Sequence, residues 1–201
     1  KRFPVGNRVT YTKYRELSSE KFGNEPRAAK EFGPALSWHV IRTFIKGWDS
    51  EAYLEPDDYE KIGRGNKSVT DETFKLVFLT VWEKWYQPLQ GQERLWDDQD
   101  LVRYCLSPDD DSCETYAHER FAAILCDESQ DFTRVETDFF LRMSVFSNRR
   151  IYDINTLHQL PFVFAGDEFQ TLNPTGFSWD SLRSYFAERL HHATELARNA
   201  C

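Results

Sequence analysis

Two short apolar runs in the second half of the chain, residues 121–126 (F-A-A-I-L-C) and 162–165 (F-V-F-A), constrain its fold more than any other feature. Each stops at an acidic, polar group, and a segment of helical period at 133–146 lies between them. A run of four to six apolar residues is too short for a core helix and suits a strand buried on both faces. With a further helical pattern at 179–190, the order strand, helix, strand, helix predicts βαβ units around a parallel sheet. Ligands of such sheets sit beyond the carboxyl ends of the strands, and both acidic segments fall there.

The first 115 residues read differently. In 70–87 the residues Phe74, Val77, Phe78, Val81, Trp82 and Trp85 recur at helical spacing and form one apolar face, with Ser68 or Thr70 to cap its start. A second helix is expected within 28–48, where Trp38, Ile41, Phe44, Ile45 and Trp48 repeat similarly and Gly33-Pro34 breaks or begins the first turn. Shorter helices are expected at 11–22, 56–62 and 98–106. Aromatic stripes of this kind are core in the first instance, not a ligand cage. The polar stretch 107–114, S-P-D-D-D-S-C-E, marks a boundary between two structural halves. The expected fold class is α/β with a large α-helical part.

Charge is distributed unevenly. Residues 1–48 carry 10 Lys and Arg against 4 Asp and Glu, 49–138 carry 9 against 23, and 139–201 carry 6 against 6. The basic first segment can meet a phosphate backbone and the acidic middle repels one, although a solvated surface accounts equally for either block. Four cysteines without a Cys-x-x-Cys pair read as free thiols, and Cys113 with His118 makes no metal site without a second pair. No run approaches the ~20 apolar residues of a membrane span, and residues 1–10 lack the apolar stretch of a secretory signal. The expectation is an intracellular protein without a membrane partner.

Asp127 and Glu128 directly follow the first apolar run. An Asp at a strand end can hold Mg²⁺, and a neighbouring Glu can orient and deprotonate an attacking water. Alone, such a pair is read as a solvated turn. The second run changes the balance, because Gly166-Asp167 ends it and Gln170 follows three residues later. Glycine permits close backbone approach, and a Gln amide contacts phosphate or water without adding charge. The G-R-G-N-K-S stretch at 63–68 lacks the G-x-x-x-x-G-K-[ST] spacing and a preceding strand, so it is not a phosphate loop.

The segment D-E-S-Q-D at 127–131 resembles motif II (D-E-x-Q-D), and G-D-E-F-Q at 166–170 resembles motif III (G-D-x-x-Q), of superfamily 1 helicases of the UvrD/Rep/PcrA type. The W-D-D-Q-D-L-V stretch at 96–102 is similar to the acidic segment before motif II in these proteins. The helical half, with W-H-V-I-R-T-F-I-K-G-W at 38–48, is similar to their helical insertion, and most of all to that of UvrD-like regions in large eukaryotic repeat-containing proteins. The resemblance implies a helical insertion subdomain over 1–115 and, over 116–201, a partial RecA-like sheet of the P-loop NTPase kind. It implies Asp127 for Mg²⁺, Glu128 for activation of water, and Gln170 for sensing the γ-phosphate of ATP. Gln130, Asp131, Gly166 and Asp167 then line the nucleotide site or hold the two motifs together. Relatives place after motif III an aromatic that stacks on a base of single-stranded DNA, a position open to Phe177 or Trp179; Trp179 serves equally as a core residue opening the next helix.

The family also needs a Walker A loop upstream and an arginine finger from a second motor domain, and neither motif lies in these 201 residues. The expectation is therefore a fragment of an ATP-dependent helicase or translocase, inactive alone, whose partners are single-stranded nucleic acid and the rest of the motor. Two strands alone leave sheet edges open, which favours covering helices or self-association. Two further readings are kept: a degenerate helicase-like module acting as a protein scaffold, and a metal-dependent nuclease using Asp127, Glu128 and Asp131.

Overall fold

The computed structural model describes residues 2–22, 32–107, 121–143, 162–167, 179–180, 182–185 and 187. By contacts the chain divides into two compact units, Lys1–Ser107 with Thr133–Glu136, and Pro108–Phe132 with Thr137–Cys201. The described part is largely helical, with a small parallel sheet of two strands.

In the first unit, α1 (Tyr11–Phe22) precedes α2 (Gly33–His39), which continues as a π-helical segment, Val40–Ile45. After α3 (Pro56–Lys61) comes a longer helical stretch: α4 (Asp71–Val77), a π-helical segment Phe78–Tyr86, and α5 (Gln87–Glu93). Thr70 starts this stretch, its Oγ1 accepting the Thr73 N–H at 3.2 Å. The expected apolar face is inward, with Phe74, Val77, Val81, Trp82 and Trp85 buried. The widened π turns depart from the regular α period. They bring Tyr86 inward beside Trp85 as well, so adjacent residues of one turn both reach the core.

That core is aromatic. Tyr59 stacks on Phe74 at 4.0 Å between ring centroids, and Phe44 meets Tyr59 edge-on at 5.1 Å. Such pairs contribute about 0.5–1.5 kcal/mol each beyond the burial of their area. Two of the buried hydroxyls are satisfied: Tyr59 donates to Val69 O at 2.9 Å and Tyr14 to Ser37 Oγ at 2.8 Å.

A charge is buried with the rings. Lys46 is fully buried, with Nζ 2.6 Å from Asp97 and 2.7 Å from Asp100 and lying over the Trp82 and Tyr86 rings. Both carboxylates also cap α6 (Asp98–Leu106): Asp97 Oδ1 accepts from the Gln99 and Asp100 N–H groups, and Asp100 Oδ2 accepts from Asp97 N–H. This capping box is what the acidic 96–102 stretch does physically. Arg103 of α6 donates to the carbonyls of Lys46, Asp49 and Ala52 and fixes the turn after the π segment. Residues Thr133–Glu136 belong to this unit, where Thr133 and Glu136 form a second capping box and Arg42 pairs with Glu136 at 2.9 Å. Gly47 is required here, since a Cβ would lie 2.3 Å from Arg42 O and 2.8 Å from the Thr133 side chain.

The second unit contains β1 (Ile124–Cys126), most of α7 (Arg134–Met143) and β2 (Phe162–Phe164). The strands pair in parallel, Ile124 with Phe162, Leu125 with Val163 and Cys126 with Phe164. Residues 179–180, 182–185 and 187 are helical, and Tyr185 donates to Asp138 of α7 at 2.7 Å. Leu125 and Val163, 76% and 56% exposed, leave one sheet face open. Among the described residues no helix is long and apolar enough to cross a membrane.

Candidate functional site at the carboxyl ends of two parallel strands

Because β1 and β2 run parallel and in register, the residues that follow them leave the sheet on the same edge. The strand ends are held by backbone bonds: Ala165 N–H donates to Cys126 O at 2.8 Å, and Ser129 N–H donates to Ala165 O at 2.9 Å. Ser129 also donates through Oγ to Cys126 O at 3.2 Å and is 1% exposed. It occupies the variable position of D-E-x-Q-D, and the sequence reading assigned it nothing. The signal available was a small hydroxyl residue three positions past the strand's last residue, where free carbonyls need donors.

Asp127 and Glu128 stand exposed beyond β1. Glu128 has φ 52° and ψ 41°, the left-handed region that a residue with a Cβ rarely enters. Asp127 supports this bend by accepting the Glu128 N–H on Oδ1 at 2.9 Å. The chain then tightens into a 3-10 turn, Ser129–Asp131, which buries Gln130 and leaves Asp131 half-buried.

Gln130 links the two motifs. Its Nε2 donates to Glu128 Oε2 at 2.5 Å, while its Oε1 accepts the Asp167 N–H at 3.2 Å. Gly166 is what makes this approach possible: a Cβ there would lie 2.2 Å from Gln130 Oε1 and 3.1 Å from Ser129 N. Asp127, Glu128, Gln130, Gly166 and Asp167 therefore gather at one sheet edge. The Cys126 thiol beneath them is buried, and its pKa is raised by loss of solvent.

Of the other expected site residues, Gln170 and Phe177 lie outside the described residues, as do Cys113 and His118. Trp179 is half-buried and helical. In the 63–68 stretch, Lys67 donates to Asp71 at 2.6 Å and to Glu60 O at 3.0 Å, so it is engaged in holding the start of α4.

Among the described residues no group of three or more His, Cys, Asp or Glu stands at metal-ligating separation. Mg²⁺ in phosphoryl-transfer sites takes one or two carboxylates, with water and phosphate completing its shell. The exposed Asp127 carboxylate fits that requirement. Comparison with family models, with curated proteins and with solved structures finds no match for the chain.

Proposed function

We propose that this chain is part of an ATP-dependent nucleic-acid helicase or translocase of the superfamily 1 kind, supplying the Mg²⁺-holding and water-activating side of its nucleotide site. One observation carries the reading. The D-E-S-Q-D segment and the Gly166-Asp167 pair follow adjacent parallel strands, and Gln130 joins them through both ends of its amide. A solvated turn after β1 would need neither the buried Gln130 nor the clearance at Gly166.

The roles follow from the chemistry. Asp127 would hold Mg²⁺, which would supply positive charge to neutralise the phosphates. Glu128 presents an exposed carboxylate able to take a proton from water, and Gln170 would report the γ-phosphate. The parallel pair would be two strands of a RecA-like sheet, and the aromatic helical unit the insertion. Phe177 or Trp179 would stack on a base of single-stranded nucleic acid. The exposed Leu125–Val163 face favours a second reading, a helicase-like module that docks another protein.

Catalysis separates the two. The 201-residue chain alone is expected to show no Mg²⁺-dependent ATP hydrolysis above background. Joined to its native flanking sequence, it is expected to hydrolyse ATP faster when single-stranded nucleic acid is added. A flanked protein that binds no nucleotide would leave the scaffold reading standing.

A further inference from the structure

Holding Mg²⁺ and activating water do not by themselves require a buried amide bonded at both ends. We propose that Gln130 is a positioning residue that ties the Glu128 carboxylate to the chain after β2, so that docking of Gly166-Asp167 sets the orientation of Glu128. The idea rests on the reading of Glu128 as the water-activating group.

Three features support it. The amide can face only one way, because a carboxylate only accepts and a backbone N–H only donates; Nε2 must meet Glu128 and Oε1 must meet Asp167. Gln130 is 1% exposed, so neither bond is readily exchanged for water. Glu128 is held in a left-handed conformation that its own side chain disfavours, and this conformation accompanies the bond back to Gln130 two residues later. A strained residue persists when its surroundings hold it, and Gln130 is the part of those surroundings that also reaches the second motif. A shift of the segment after β2 would thus reach the Glu128 carboxylate through the Gln130 side chain. The backbone bonds Ala165 to Cys126 and Ser129 to Ala165 join the chain just beyond the two strands, but neither touches the Glu128 carboxylate.

Gly166 offers a test that leaves Gln130 in place. Its φ is not in the left-handed region, so Gly166→Ala adds little backbone strain and acts by pushing on Gln130 Oε1. In the isotopically labelled 201-residue chain, Gln130→Met and Gly166→Ala should each speed hydrogen exchange of the Asp167 amide about fivefold or more, the equivalent of one hydrogen bond. Each should also shift the Glu128 carboxyl carbon resonance. The Ala165 amide, bonded to Cys126 O, keeps its protection and reports that the strand pairing is intact. Glu128→Gln should move the Asp167 resonance in the wild-type background and lose that effect in Gln130→Met.

An Asp167 response to Glu128→Gln that survives Gln130→Met overturns the proposal. So do Met and Ala variants that leave both Asp167 and Glu128 unmoved. If Gln130→Met does not fold, Gly166→Ala decides alone; if neither folds, the wild-type Gln130 side-chain N–H groups decide, since exchange as fast as a solvent-exposed amide overturns it.

In the chain joined to its native flanks, Gln130→Met should lower kcat for ATP about 10- to 100-fold with KM little changed, as expected for a misoriented base. Coupling in the 201-residue chain without hydrolysis by the flanked protein sinks the functional reading alone. Hydrolysis without coupling sinks the role of Gln130 alone.

Discussion

In the first unit the charge that organises the structure is out of water, with Lys46 enclosed by Asp97, Asp100, Trp82 and Tyr86. In the second, Asp127 and Glu128 stand exposed beyond the three-residue strand β1. The first arrangement makes a rigid block, because a buried ion is tolerated only when every partner is in place. The second leaves two carboxylates in contact with solvent and one of them on a residue in a strained conformation.

The comparison breaks most readily at Lys46. Lys46→Ala removes one cation from beside two largely buried carboxylates, and the expected loss is about 3–5 kcal/mol of stability. Urea unfolding followed by tryptophan fluorescence measures it, and a loss below ~1 kcal/mol would remove the contrast between the units.

His39 offers a pH test of the same block. Its ring is buried between Ser68 Oγ at 2.7 Å and Thr43 Oγ1 at 3.2 Å, and burial, then the neighbouring Arg42, lowers its pKa to about 4. The unfolded chain takes up this proton near pH 6.5, the folded chain only near pH 4. His39 therefore contributes nothing to the pH slope above 6.5, and stability falls between those values by on the order of 3 kcal/mol. Unfolding midpoints from pH 7 to 4.5 should fall more steeply in the wild type than in His39→Gln.

A smaller effect tests the helix start. Thr70→Ala deletes the cap of α4 and should cost about 1 kcal/mol. Smallest is Leu125→Ser in β1: the residue is apolar but 76% exposed, so a change within about 0.5 kcal/mol is expected by the same unfolding assay. A large loss there would mean that the open sheet face is covered in solution.

Much of the helical layout was legible because aromatic residues recur at regular spacing and caps are local. The expected helix at 11–22 coincides with α1, and α6 starts where the acidic 97–100 cluster supplies its own cap. Between Ser68 and Thr70 the sequence left the cap open. Thr70 takes it, while Ser68 turns to His39. The π-helical segments were not legible, since the widened turns depend on packing between helices distant in sequence. The 96–102 stretch showed its acidity but not its counter-ion: Lys46 is about fifty residues away. At the strand ends, Asp127, Glu128 and Gly166 could be read from pattern alone. That Gln130 helps to hold the two motifs together was among the roles the resemblance implied; the atoms that make the bridge and the backbone role of Ser129 appear only when β1 and β2 lie side by side.

The most direct measurement is single-turnover ATP hydrolysis by the Glu128→Gln variant of the chain in its native flanking context, with nucleotide binding followed in parallel. Loss of a positioned general base should slow turnover at least ~100-fold while Mg²⁺-nucleotide binding persists. Undiminished turnover in that variant would contradict the assignment of Glu128 and, with it, the reading of these strand ends as a hydrolytic half-site.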